Sequence, residues 1–251
     1  MILPLLLLAA PAALQAGPPA PPLQARFDAC VDLAAKDPRA AAAEAGRWRL
    51  NGGGALALQC LGMAYANDGK WAAAAGEFEG AARTAELAKD KRAALYWAQS
   101  GNAWLAANDA VKARGALDAA LASNTLTGLD RGEAMLDRAR AQVAAGDLAG
   151  ARDDIDPALI DAAADPLAWL LSATLARRMD DLPRARKDIA EALRLSPDDA
   201  SVQLEAGNIA ALAGDEPGAK AAWRQAATLA PASDAGKRAQ TALAQFDTAK
   251  P

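Results

Sequence analysis

The side chain most often recruited for chemistry is missing from this sequence: it contains no histidine. That removes imidazole acid–base catalysis, the Ser-His-Asp and Cys-His nucleophile systems, and nearly every common zinc site. Gly52-Gly53-Gly54 could open a phosphate cradle. Such a loop needs a following Gly-Lys-Ser/Thr and an upstream strand, and neither is present. The glycines read as a connection between helices. Asp153, Asp154 and Asp156 crowd together as hard-cation ligands do, but the Asp-x-Asp-x-Asp-Gly loop with a late Glu is absent. They fall inside a predicted helix and read as a solvated face. Among 31 acidic residues some pair always resembles a glycosidase couple, which needs a pocket and a defined separation to mean anything. The expectation is no catalytic residue, no metal ligand, no cofactor and no enzyme. A net charge of −4, from 27 basic and 31 acidic residues, also argues against a nucleic-acid partner, which needs a clustered positive surface.

The two cysteines, Cys30 and Cys60, take their meaning from the start of the chain. Ile2–Ala16 (ILPLLLLAAPAALQA) is apolar, and no charged side chain appears before Arg26. A run of about 15 residues is short for a spanning helix, which needs about 20, and fits the apolar core of a secretory signal. Leu14-Gln15-Ala16 is an acceptable cleavage site, although no Lys or Arg precedes the apolar run. Residues 1–16 therefore read as a signal peptide and 17–22 as a stiff proline-rich spacer. The alternatives are an uncleaved anchor or a misassigned start codon. Cleavage would leave an exported protein, periplasmic or secreted, with no membrane span. Export exposes thiols to oxidising conditions, and an even count suits a disulfide. Two separate buried thiols are the alternative.

The elements that would position any site come from an internal repeat. Gly132–Asp165, Pro166–Asp199 and Ala200–Ser233 align without gaps, each 34 residues long. Within a unit, position 8 is Ala139, Ala173 and Gly207, and position 20 is Ala151, Ala185 and Ala219. Position 24 is Ile155, Ile189 and Trp223; position 27 is Ala158, Ala192 and Ala226. Two earlier units, starting at Ala55 and Ala94, follow the same rule, with Gly62, Ala74, Phe78 and Ala81 in one and Gly101, Ala113, Leu117 and Ala120 in the other. They carry extra residues near Leu87–Lys91 and Thr125–Arg131, which should lengthen helices or loops there.

This rhythm resembles the tetratricopeptide repeat family, which favours W, L, G, Y, A, F, A and P at positions 4, 7, 8, 11, 20, 24, 27 and 32. The resemblance covers five units, starting at 55, 94, 132, 166 and 200; the unit from Gly132 departs most, with Arg138 and Gln142 at positions 7 and 11. It implies an all-α superhelical solenoid of antiparallel helix hairpins. Small residues let helix axes approach, large ones fill the space alongside, and stacking buries what a lone hairpin cannot. Trp97, Trp169 and Trp223 then fall on core positions, and Trp71 on the start of a second helix. Residues 23–54 read as a degenerate N-terminal hairpin and 234–251 as a capping helix and tail. In this register Cys30 and Cys60 lie on neighbouring first helices, where a covalent clip is plausible.

The family lines its concave groove with positions 2, 5, 9, 12 and 13 of each first helix. Carried over, these give Leu95 and Asn102 in one unit and Leu136 and Arg140, with Glu133 and Val143, in the next. Leu170, Thr174, Arg177 and Arg178 follow, then Leu204 and Asn208. The asparagines could bond an extended peptide and the arginines an acidic group. The carboxylate clamp of chaperone-binding members needs Lys at position 5, where this chain has Ala98 and Leu204, so it is not carried over. The resemblance thus implies a scaffold that holds a partner protein or peptide in its groove. A self-associating structural subunit is the alternative.

Overall fold

The computed structural model describes residues 22–248. The expected signal and most of the spacer lie outside the described residues. Those described form helices and no strands, arranged as six hairpins and a final helix. The hairpins are α1 (Leu23–Lys36) with α2 (Pro38–Leu50), α3 (Gly54–Asn67) with α4 (Trp71–Leu87), and α5 (Ala93–Ala106) with α6 (Ala110–Ala122). Then come α7 (Gly128–Ala144) with α8 (Leu148–Asp161), α9 (Pro166–Arg178) with α10 (Leu182–Leu195), and α11 (Ala200–Leu212) with α12 (Glu216–Leu229). Helix α13 (Asp234–Thr248) packs Ala239, Leu243 and Phe246 on the last hairpin. The all-α solenoid with an N-terminal hairpin and a C-terminal cap is what the chain adopts. The extra residues fall where α4 and α7 are drawn out to 17 residues each.

The hairpins turn by one local device. The middle residue of each three-residue turn has a positive φ: Gly69 (73°), Asn108 (60°), Gly146 (83°), Asp180 (60°) and Gly214 (76°). Only Gly, Asn and Asp enter that region cheaply. The next N–H then reaches back to an orphan carbonyl, as Lys70 does to Tyr65 at 2.8 Å and Asp109 to Trp104 at 2.9 Å. Asp37, Asp109, Asp147, Asp181 and Asp215 cap the second helices, each accepting a first-turn N–H at 2.9–3.1 Å. Such a cap is typically worth about 1 kcal/mol.

Within a hairpin, positions 8 and 24 are complementary. A methyl group on Gly62 would lie 2.7 Å from the Phe78 ring. On Gly101 it would lie 2.4 Å from Leu117, and on Gly207 2.4 Å from Trp223. Where position 24 is Ile, branched at Cβ and differently shaped, position 8 carries Ala: Ala139 packs in the same cluster as Ile155, and Ala173 with Ile189. Interior packing at crystal-like density makes each pair a joint choice.

Two details depart from the reading above. Trp223 is buried, but Trp97 and Trp169 are only half-buried. Their indole N–H groups bond Glu86 Oε1 (2.6 Å) and the Ala163 carbonyl (2.9 Å), so the rings stay near the surface where those acceptors are. Asp154 is not on a solvated face: it is buried and takes a two-pronged bond from Arg138, at 2.6 and 2.7 Å. The helix period turns it inward while Asp153 and Asp156 stay outside. Pro157 sits inside α8, where it removes the N–H due to the Asp153 carbonyl.

Cys30 and Cys60 are joined in a disulfide between α1 and α3, with Cα atoms 6.2 Å apart. Both are buried, in one cluster with Ala45 and Leu61.

Candidate functional site

A trough runs along the first helices of the middle hairpins. Its first chamber, about 450 Å³, lies between α3, α4, α5 and α7. Met63, Trp71, Phe78, Leu95 and Ala98 supply apolar walls, and Asn102, Asp130, Glu133 and Asp137 supply polar ones. A second recess of about 170 Å³ shares Asn102, Glu133 and Asp137 with it and adds Asp165 and Leu167. A third, about 120 Å³, lies between α7 and α9, bordered by Leu136, Arg140, Val143, Thr174 and Arg178. Leu136 and Arg140 belong to both, so the three recesses form one path.

The expected groove residues divide. Leu95, Asn102, Leu136, Arg140, Thr174 and Arg178 border the trough, Leu136 as a buried part of its floor. Leu170 packs, half-buried, against the α9–α11 core, and Leu204 is buried beneath α12 and α13; neither borders these recesses. Position 5 of these two units therefore faces the stack. Arg177 lines a separate small recess beside Asp180 and Leu212, and its guanidinium is spent on Glu205, at 2.6 and 3.2 Å. Asn208 is also spent: it donates to Glu205 at 3.1 Å and accepts from the Trp223 indole at 3.2 Å.

The trough's charge also differs from the mostly apolar strip with Asn amides and a few arginines that family positions imply. Asp137 accepts from Asn102 at 2.8 Å and from Arg140 at 2.8 Å, which ties up that arginine. Glu133 and Asp130 are exposed and make no ion pair among the described residues. Lost hydration, then the charges of Asp130, Asp137 and Asp165, push the Glu133 carboxyl above its ordinary value. Sequence reasoning named Glu133 but missed Met63, Trp71, Asp130, Asp137 and Asp165. Trp71, expected at the start of a second helix, begins α4 and also walls the first chamber.

No sequence-family model matches the chain, and no curated protein sequence does either. Solved structures do match in shape. The PilF protein of Pseudomonas aeruginosa superposes with a TM-score of 0.68 at 17% identity, covering 87% of this chain and 98% of its own. YrrB, described as a TPR protein with an unusual peptide-binding site, gives 0.56 at 16% identity, over 78% and 96%. A tetratricopeptide repeat protein from Parabacteroides merdae gives 0.61 at 14% identity, over 85% and 82%. The chain has the tetratricopeptide-repeat fold. In that frame the trough lies on the first helices, and polar contacts join the first helices of neighbouring repeats. Asn102 and Asp137 are 35 residues apart, Arg177 and Glu205 28. Among the described residues no cluster of His, Cys, Asp or Glu could hold a metal ion, and no helix is long and apolar enough to cross a membrane.

Proposed function

We propose that the protein is a non-enzymatic scaffold that holds a segment of a partner protein in this trough, and that it works after export from the cytoplasm. The observation that carries the first part is the continuous trough from Met63 to Arg178, apolar along its floor and polar along its rim. Burying a partner's side chains in a helix-lined groove is a general mode of peptide recognition. Absence of histidine supports the non-enzymatic reading, since the commonest acid–base group is missing. The apolar leader and the disulfide support export.

Photocross-linking in the native cell tests it. A photoreactive amino acid in place of Leu167, which borders the second recess, should yield partner adducts. The same group in place of Val111, which is exposed and borders none of the three recesses, should yield none. Adducts only from Val111, or only with a second copy of the chain, would replace the scaffold with a different docking face or a self-associating subunit. Recovery of the cross-linked protein in a cytoplasmic fraction with an intact leader would end the export reading.

A further inference from the structure

We infer that the α3–α7 end of the trough takes a cationic partner segment, in which an Arg or Lys side chain sits beside a large apolar one. This rests on the scaffold reading and adds the chemistry of the occupant. The first chamber has the volume for a large side chain, and Met63, Trp71, Phe78 and Leu95 offer it apolar walls. Every charged residue bordering that chamber is an acid: Asp130, Glu133 and Asp137. The adjoining recess adds Asp165 and a single cation, Arg140, which Asp137 already holds. Four carboxylates against one arginine leave the rim strongly negative, in a concave place where apolar walls weaken screening.

Alternative occupants fit less well. A metal ion would need the carboxylates to converge, and they do not. An acidic segment or a free C-terminal carboxylate would need an available cation at this end of the trough, where the one arginine, Arg140, is paired with Asp137; Arg178 borders only the recess farther along, between α7 and α9. Lost hydration, with the charges of Asp130, Asp137 and Asp165 added to it, raises the Glu133 carboxyl, and that charge repulsion is a cost the free protein bears. A guanidinium or ammonium between Glu133 and Asp130 would relieve it through charge-assisted hydrogen bonds.

The test selects peptides from a random displayed library on the full-length mature chain, then measures the best by fluorescence anisotropy. Selected sequences should be enriched in Arg or Lys next to Trp, Phe, Leu or Met. Glu133→Lys should weaken the best peptide about tenfold or more, and Glu133→Gln by less, as expected for a lost and then a reversed charge pair. Glu133 is exposed, so both variants should keep the parent's circular dichroism; if Glu133→Lys does not fold, Asp130→Lys gives the same readout. Leu95→Asp should abolish binding in either case. Neutral or acidic selected peptides that still depend on Leu95 would overturn the cationic assignment and leave the scaffold reading standing. Peptides indifferent to Leu95, Glu133 and Asp130, or no peptides at all, would overturn both.

Discussion

Removing the Cys30–Cys60 bond should loosen one end of the solenoid and leave the other unchanged. The bond closes a loop of 30 residues, so the chain-entropy relation puts its stabilisation at about 3.6 kcal/mol at 25 °C. Its effect should be local because each repeat contacts only its neighbours. Beside Cys30, the buried side chains of the α1–α2 hairpin are Ala34, Ala41, Ala45 and Trp48, four of these five being small. Cys30→Ala with Cys60→Ala removes the bond without burying a new polar group. Hydrogen exchange read by mass spectrometry should show protection in α1 and α2 falling by about 400-fold, the factor equivalent to 3.6 kcal/mol. Protection in α9–α12 should stay within error. A fall spread evenly over all hairpins would refute the local, nearest-neighbour picture. No fall at all would show that alanine packing and helix caps suffice. Two titratable thiols in denatured, unreduced protein from the native host would show that the bond does not form there.

Further outcomes follow from the packing and charge. Gly207→Ala should cost about 1–3 kcal/mol by overpacking, because its new methyl meets Trp223 at 2.4 Å; adding Trp223→Ile, which copies the Ala173 and Ile189 pairing, should recover part of that in thermal melts, and simple additivity would refute the complementarity of positions 8 and 24. Arg138→Ala strands the buried Asp154 carboxylate, which in general costs about 3–5 kcal/mol, here toward the lower end because Arg138 is partly exposed. The double variant Arg138→Ala, Asp154→Ala should be more stable than Arg138→Ala alone, and chemical denaturation decides this. Glu133→Gln should raise stability at neutral pH. The folded Glu133 binds its proton more tightly than the unfolded one, so its penalty is full above the raised value and disappears below the ordinary 4.5. The gain should fade as pH falls through that window, and a gain that grew on acidification would reverse the sign of the argument.

How much of this was legible beforehand depends on the range of the interaction. Helix hairpins, turns and the complementary small and large positions are local or lie within one unit, so the 34-residue rhythm reveals them. Gly62 with Phe78 and Asp147 with Gly150 need no knowledge of the next repeat. The candidate site is different, because its polar groups choose partners across repeats. Arg177 and Asn208 are groove residues by position, yet Glu205 engages both. Leu204 and Leu170 are groove residues by position, yet they pack into the stack. Side-chain type at one position cannot show this. The pairing of acids at position 6 with polar groups in the preceding unit would have been a usable signal.

That pairing links the fold to what the trough can bind. Position 6 of one first helix repeatedly meets position 9 or 12 of the helix before it. Cys60 bonds covalently to Cys30, Asp137 accepts from Asn102, and Glu205 accepts from Arg177. One geometric slot is filled with three chemistries: a disulfide, an amide–carboxylate bond and an ion pair. Each consumes a group that family positions would assign to ligand contact, and each fastens adjacent hairpins beyond what alanine-rich packing provides. The character of the trough is therefore set by the polar groups these fastenings leave over. At the α3–α7 end those are Asp130 and Glu133, which is why that end of the trough is acidic although Arg140 stands at one of its family-defined positions.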